Sequence, residues 1–160
     1  MAKQAKWLDC EEQQAWRGFL TMHSELTAVL GRDLAQDSGL SIQDYGVLVA
    51  LSEASCGRLR PFELGRELVW EKSRLSHHIS RMVQRRLVSR VKCDTDNRGA
   101  FIEITREGRR AISGAAPGHV AAVRKYFFDS LSRDDLAALA SITEKVRKAL
   151  PKAECEKDCL

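Results

Sequence analysis

Residues 72–90, KSRLSHHISRMVQRRLVSR, combine cations, hydroxyls and imidazoles without a single carboxylate. Apolar side chains at helical spacing within this segment predict an amphipathic helix with one buried stripe. The stripe comprises Leu75, Ile79, Met82 and Val83. The opposite face comprises Ser73, His77, Ser80, Arg81 and Gln84, with Arg74 at its edge. A solvated helix face normally mixes both signs of charge, so this bias indicates a polyanionic partner, with a plainly solvated basic face as the alternative.

The charge of the whole chain is small but unevenly placed. Its 160 residues carry a net charge of +4, and the positive excess lies within residues 58–110, which suggests a local anion-binding face on a single domain. No apolar run approaches the roughly 20 residues that a membrane helix needs. The N-terminus also lacks the apolar core of a signal peptide. We therefore expect a cytoplasmic protein with no membrane partner, whose five cysteines are mostly reduced.

The elements on either side of the basic helix are short. Pro61 suits the first turn of a preceding helix that carries Leu64 and Leu68, and residues 69–71 make a tight connection between the two helices. This is a helix-turn-helix pattern. After it, residues 88–93 and 100–104 alternate as strands around a six-residue polar turn that contains Arg98, which predicts a β-hairpin.

Long helices are predicted at both ends of the chain. The first spans about residues 11–36, and its apolar side carries Trp16, Phe19, Leu20, His23, Leu26, Thr27, Leu30 and Leu34. Ser41 with Asp44, and Ser132 with Asp135, resemble capping boxes that start later helices, while Thr105 is a predicted N-cap. The final helix carries Leu136, Leu139, Ile142, Val146 and Leu150 at helical spacing. A single lobe cannot bury the stripes of the first and last helices, which predicts that two chains pair through them.

This order of elements, with SRLSHHISRM at residues 73–82, RRLVSR at 85–90 and DTDNRGAFIEITREG at 94–108, resembles the MarR family of winged helix-turn-helix transcription regulators. The resemblance covers about residues 16–150. It implies a mainly α (α+β) fold, a winged helix-turn-helix with a helical dimerisation domain. Residues 1–37 would form the N-terminal dimerisation helix, 38–104 the DNA-binding lobe, 105–150 the C-terminal dimerisation helices and 151–160 a flexible tail.

The resemblance also implies a function and a set of contact residues. A homodimer would bind double-stranded DNA at a pseudo-palindromic operator, as a repressor released by a small phenolic or lipophilic effector. The implied DNA-binding residues are Ser73, Arg74, Ser76, His77, Arg81, Asp96 and Arg98. The first four would face bases, Arg81 would contact phosphate, and Asp96 would position Arg98 in the minor groove. Two residues depart from the family pattern, namely Asn97, where a second arginine is common, and Gly65, where alanine is usual.

The chemistry of the two arginines fits different kinds of DNA recognition. A bidentate guanidinium matches the O6 and N7 acceptors of guanine, so Arg74 is expected to read bases in the major groove. The narrow minor groove of A·T-rich DNA attracts an inserted arginine by its negative potential, so Arg98 is expected to read shape. Lys72, Arg81, Arg85 and Arg86 are expected near phosphates, with plain solvation at the end of the helix as the alternative for Arg85 and Arg86.

Effector and redox sites are further expectations. The family places its effector crevice against the first helix, so Trp16, Phe19 and His23 would line one wall, with a core histidine as the alternative for His23. Cys10, Cys155 and Cys159 are redox candidates, with inert surface thiols as the alternative. Adjacent histidines such as His77 and His78 point about 100° apart on a helix, so they suit one metal ion poorly. We expect no metal and no cofactor.

Three classes of function compete. A ligand-responsive DNA-binding regulator fits best, and a thiol-based redox-sensing regulator remains open within that class. A winged-helix protein-interaction module that binds no DNA is disfavoured by the basic face and by Arg98. The sequence shows no glycine-rich phosphate loop, paired catalytic carboxylates or nucleophile–base arrangement, so we expect no enzyme and no catalytic residues.

Overall fold

A computed structural model describes residues 6–93 and 96–151, with residues 93 and 96–99 described by their backbone alone. The helices in this part of the chain are α1 (Cys10–Ser38), α2 (Ile42–Glu53), α3 (Pro61–Leu68), α4 (Lys72–Gln84), α5 (Arg106–Tyr126) and α6 (Arg133–Ala149), with a short 3-10 helix at Phe128–Ser130. The strands are β1 (Arg58–Leu59), β2 (Val88–Cys93) and β3 (Asp96–Ile104). This arrangement confirms the predicted mainly α fold class.

Local capping chemistry sets the starts of three helices as predicted. Ser41 and Asp44 exchange hydrogen bonds between side chain and backbone at the start of α2, each 3.0 Å long. Ser132 and Asp135 do the same at the start of α6. The Thr105 hydroxyl accepts a hydrogen bond from the Gly108 N–H at the start of α5. Each contact satisfies a backbone N–H that has no partner within its helix.

The sheet has the strand order β1-β3-β2, and both pairings are antiparallel. The predicted hairpin is present, but the predicted length of its turn is wrong because β3 already begins at Asp96. Pairing continues past a register shift between Lys92 and Cys93, which places Cys93 opposite Asp96. The shift absorbs residues that a regular ladder would have left in the turn.

The hydrophobic core lies between α2, α3, α4 and the sheet. Its fully buried large side chains are Leu40, Leu48, Leu51, Leu64, Ile79, Met82, Val47 and Val88. Leu34 of α1 and Ala115 of α5 extend this core, so the two long helices pack onto the same interior that positions α4. No helix in the described part of the chain combines the length and apolar character needed to span a bilayer.

Helix α4 is rotated relative to the prediction. Val83 was expected to be buried, but 36% of it is exposed, whereas His78 is only 8% exposed. At about 100° per residue, the two lie on opposite edges of the stripe formed by Leu75, Ile79 and Met82. A buried imidazole is costly unless it has a polar partner. His78 has one in Asp44 of α2, so the stripe turns toward His78.

The apolar sides of α1 and α6 remain largely uncovered in the single chain. Leu34 is the one buried residue of α1, and α6 buries none. Trp16 is 53% exposed, Phe19 52% and Ile142 57%. The alternative of a core histidine is wrong for the single chain, because His23 is exposed as well. His23 lies on the same side of α1 as Leu34 but about 16 Å nearer the N-terminus of the helix, beyond the core that contains Leu34.

Candidate nucleic-acid interface

Helices α3 and α4 meet in a tight turn that presents one face of α4 to solvent. Val69 adopts a left-handed backbone conformation with φ 54°, and the Trp70 N–H donates to the Gly65 carbonyl at 2.8 Å. A Cβ atom at position 65 would lie 3.2 Å from the Trp70 carbonyl oxygen, so glycine allows this close approach. The predicted contact residues on α4, all of them exposed, are Ser73, Arg74, Ser76, His77 and Arg81.

Trp70 supports Arg74 from the turn. The Arg74 guanidinium carbon lies 4.6 Å from the centre of the indole ring, a cation–π distance. Trp70 in turn meets the ring of His78 edge-on, with centroids 5.2 Å apart. A cation–π contact restricts the guanidinium, while its N–H groups keep the capacity to bind a bidentate acceptor. Trp70 therefore holds the Arg74 guanidinium beside the exposed face of α4.

His78 connects a buried carboxylate to an exposed arginine. Its Nδ1 atom accepts from Nη2 of Arg81 at 3.0 Å, and its Nε2 atom lies 3.0 Å from Oδ1 of Asp44. Because an arginine can only donate, Nδ1 must be unprotonated and the ring proton lies on Nε2. The Nε2–H bond does not point squarely at the carboxylate, so this contact is mainly electrostatic.

Asp44 ties together the ends of three helices. Its side chain is 5% exposed and accepts from the Ser41 N–H at 3.0 Å and from Nη1 of Arg85 at 2.6 Å. Nη2 of Arg85 donates to the Gly39 carbonyl at 2.8 Å, just beyond the end of α1. Arg85 is therefore not a freely solvated side chain, although 46% of the side chain is exposed, and its contact with phosphate stays a prediction. Its donors turn inward because the buried carboxylate needs a counter-charge.

Both ionisable groups of this cluster have shifted pKa values. Burial opposes ionisation of Asp44, but hydrogen bonds from Ser41 and Arg85 outweigh it and hold the pKa of the carboxyl below its ordinary value. Burial lowers the pKa of His78, and the cations of Arg81 and Arg74 add to this against the opposing charge of Asp44. At neutral pH the carboxylate is therefore ionised and the imidazole is neutral, as the hydrogen bond from Arg81 requires.

An open cleft of about 630 Å³ lies between the start of α2 and the exposed face of α4. Its walls are formed by Ser41, Gln43, Asp44, Arg74, His77, His78, Arg81 and Arg85. Asp44 and Arg85 neutralise each other, which leaves Arg74 and Arg81 as the charged donors facing the opening. Two guanidinium groups beside an open surface suit an anion such as a backbone phosphate.

The β2–β3 hairpin, which corresponds to the wing of a winged helix-turn-helix, is connected to α4 through Arg90. Nη2 of Arg90 in β2 lies 3.2 Å from the hydroxyl of Ser80 and 3.4 Å from the carbonyl of Ser76. The side chains of Asp96 and Arg98 lie outside the described residues, although their backbone belongs to β3. Their predicted contacts with DNA stay predictions.

The other predicted site residues lie away from this face. Trp16, Phe19 and His23 stack in succession along α1, with centroid distances of 5.9 and 6.2 Å, and all three are exposed. Cys10 is exposed at the start of α1. Cys155 and Cys159 lie outside the described residues. Within those residues, no group of three or more His, Cys, Asp or Glu side chains is arranged to hold a metal ion.

The supporting residues were missed because each already had a local explanation. In the sequence, a capping box accounts for Asp44, the pair with His77 draws attention from His78, and the end of a basic helix accounts for Arg85. A usable signal was present in the sequence. An acidic residue directly before the apolar run of α2, together with a histidine at the edge of a buried stripe, indicates a buried polar pair.

Comparison with known proteins places the chain in a family. A family model described as "Transcriptional regulator SarA/Rot" matches residues 32–114. AbsC, a MarR family transcriptional regulator from Streptomyces coelicolor, is 39% identical, with 91% of this chain and 97% of AbsC covered and a TM-score of 0.85. Sco3205, a MarR family regulator from the same organism solved in complex with DNA, is 36% identical, with 96% of each chain covered and a TM-score of 0.89.

A more distant structure has the same fold. A MarR mutant from E. coli complexed with operator DNA is 20% identical, with 91% of this chain and 100% of that chain covered and a TM-score of 0.76. No curated protein matches the sequence. The identities and coverage of the two Streptomyces regulators show that the chain belongs to the MarR family of winged helix-turn-helix transcriptional regulators and is not an enzyme.

Proposed function

We propose that the protein is a sequence-specific DNA-binding repressor that binds a pseudo-palindromic operator as a homodimer. The observation that carries this proposal is the exposed face of α4, which has no carboxylate of its own and whose arginines are held by Trp70 and His78. An α-helix fits the major groove of B-DNA. A face of cations, hydroxyls and imidazole matches the acceptors on phosphates and base edges there.

The α4 residues then divide into two roles. Arg74, held beside the indole ring of Trp70, reads a guanine, while Ser73, Ser76 and His77 supply further polar contacts to bases. Arg81 opens onto the cleft and binds phosphate, which adds affinity without sequence preference. On the wing, Asp96 orients Arg98 toward the minor groove.

Pairing of two chains would cover the apolar sides of α1 and α6. Trp16, Phe19, Ile142, Val146 and Leu150 are each between 52% and 58% exposed in the single chain. Exposed apolar surface on this scale is typical of an interaction site. A homodimer built through α1, α5 and α6 would set the two α4 helices about one DNA turn, roughly 34–36 Å, apart. Light scattering should give the mass of a dimer, and a stable monomer that binds the full operator would contradict this arrangement.

Release by a small phenolic or lipophilic effector is the regulatory part of the proposal. The stacked rings of Trp16, Phe19 and His23 offer an aromatic wall that a second chain could complete. A ligand releases DNA only if it binds the DNA-incompatible arrangement more tightly. Salicylate should therefore weaken operator binding, and Trp16→Ala should blunt that effect. An unchanged response in Trp16→Ala would remove this pocket but leave DNA binding standing.

The contrast between two arginine variants tests DNA recognition. Arg74→Ala should cost about 1–3 kcal/mol on the operator and relax the preference at one position per half-site. Arg81→Ala should weaken binding to operator and random duplexes alike. Arg133→Ala, at the exposed start of α6, is the matched control and should bind like the parent protein. Equal losses on operator and random DNA for Arg74→Ala, measured by fluorescence anisotropy, would refute its role in base recognition.

A further inference from the structure

We propose that His78 and Asp44 are positioning residues for DNA recognition, which act by fixing the guanidinium of Arg81 at the cleft beside α4. This inference rests on the proposed DNA-binding function. The juxtaposition that carries it is a chain of contacts from Asp44 through His78 to Arg81, with both heavy-atom distances at 3.0 Å. Neither His78 nor Asp44 is exposed enough to be a main contact with DNA, so their effect on binding passes through neighbouring side chains. Arg81 is the exposed cation that is hydrogen-bonded to the ring of His78.

The first step of the argument concerns the freedom of Arg81. An exposed arginine on a helix samples many rotamers, and ordering it on a phosphate has an entropic cost. The hydrogen bond to Nδ1 of His78 uses one of its five N–H donors and restricts the side chain before DNA arrives. The remaining donors stay available for a phosphate. A pre-oriented donor binds more tightly than a free one because less ordering accompanies binding.

The second step concerns what holds His78. Its ring is buried and meets Trp70 edge-on, and Asp44 lies on its Nε2 side. Asp44 is fixed in turn by the Ser41 N–H and by Arg85. A chain of contacts therefore runs from the backbone at the start of α2, through Asp44 and His78, to Arg81 at the protein surface.

The third step concerns the tautomer of the ring. Arg81 needs an acceptor, so His78 must carry its proton on Nε2, where the negative charge of Asp44 favours it. A carboxylate that orients an imidazole, which then orients a third group, is a known way to fix tautomer and direction. The charged groups facing the ring are Asp44 from α2 and Arg74 and Arg81 from α4 itself. Asp44 alone among them favours a proton on the ring.

Two amide substitutions separate the two sides of the imidazole. In His78→Asn the amide oxygen lies near the position of Nδ1 and can still accept from Arg81. In His78→Gln the amide reaches the position of Nε2 and can contact Asp44, but Arg81 loses its acceptor. We expect His78→Asn to bind operator close to wild type and His78→Gln to bind about threefold to tenfold more weakly, the range of one hydrogen bond's net contribution. The control is His119→Gln, which replaces a half-buried histidine of α5 that packs against Tyr45 of α2.

A double-mutant cycle distinguishes positioning from general support of the fold. Arg81→Ala should cost less in the His78→Gln background than in wild type, because the arginine there is no longer oriented. His78→Gln should also lower the slope of log affinity against log salt, as expected when a phosphate contact weakens. Additive losses with an unchanged salt slope would show that His78 supports only the fold, and would overturn the inference.

A spectroscopic measurement on the wild-type protein keeps the test independent of folding in the variants. Long-range proton–nitrogen NMR should show His78 as the tautomer protonated on Nε2 at neutral pH, and Arg81→Ala should shift the Nδ1 resonance. A proton on Nδ1 would overturn the inference. If the wild type binds no duplex DNA at all, the proposed function fails. If the wild type binds DNA and His78→Gln binds equally well, the positioning role alone fails.

Discussion

Asp44→Ala should destabilise the protein far more than its position at the start of a helix suggests. The substitution removes the carboxylate that accepts from the Ser41 N–H and from Arg85, and it leaves His78 without its partner. Loss of the capping interaction costs about 1 kcal/mol. A buried hydrogen bond to a charged group contributes about 1.5–3 kcal/mol, which we reduce to about 1–2 because the Arg85 side chain is 46% exposed.

The sum for Asp44→Ala is about 2–3 kcal/mol, or roughly 4–12 °C in Tm for a protein of this size. Asp135→Ala is the matched control because Asp135 has the same place in a capping box with Ser132 but is exposed and has no arginine or histidine partner among the described residues. Both variants should be followed by thermal unfolding at one protein concentration, since the proposed dimer would make Tm depend on concentration. If Asp44→Ala loses no more stability than Asp135→Ala, the buried cluster contributes nothing beyond the cap and the reasoning is wrong.

Three other predictions concern stability. Gly108→Ala should cost about 2–3 kcal/mol or more in chemical denaturation, because a Cβ there would overlap the Leu87 carbonyl oxygen, and a wild-type midpoint would contradict this. Arg86→Gly should raise Tm, because Arg86 has φ 59°, a left-handed conformation that costs a residue with a Cβ atom about 1 kcal/mol relative to glycine. A lower Tm in this variant would refute the prediction. Burial lowers the pKa values of His78 and His119, so their contribution to stability is present above about pH 6.5 and is lost as pH falls through their folded-state values. Unfolding free energies between pH 7.5 and 5 should decline less in His78→Gln than in wild type, and equal declines would exclude His78 as a source.

Local chemistry was predictable from the sequence, and contacts between distant segments were not. The caps at Ser41, Thr105 and Ser132 involve residues three positions away, so spacing alone defines them. The helical stripe of α4 follows from its own period. Its rotation toward His78 depends on a carboxylate in α2, and the direction of Arg85 depends on a partner 41 residues away in sequence. A helical wheel describes one helix and contains no information about what packs against its edge.

The apolar stripes of α1 and α6 are predictable from the sequence, and so is the conclusion that one winged lobe is too small to bury them. These helices carry more apolar surface than the winged lobe can cover, and in the single chain that surface is open. The same argument could not locate the contact partner of each aromatic ring. Among the described residues, the aromatic partners of Trp16 and Phe19 lie along α1 itself.

Selection of duplexes from a random DNA library tests the central claim most directly. Wild-type protein should enrich a pseudo-palindromic sequence whose half-sites are about one helical turn apart, because the proposed dimer would present two α4 helices at that spacing. Arg74→Ala should enrich the same sequence with the preference lost at one position in each half-site. If the wild type enriches no sequence at physiological salt, and its affinity for DNA varies with salt concentration but not with base sequence, sequence-specific recognition by α4 is contradicted.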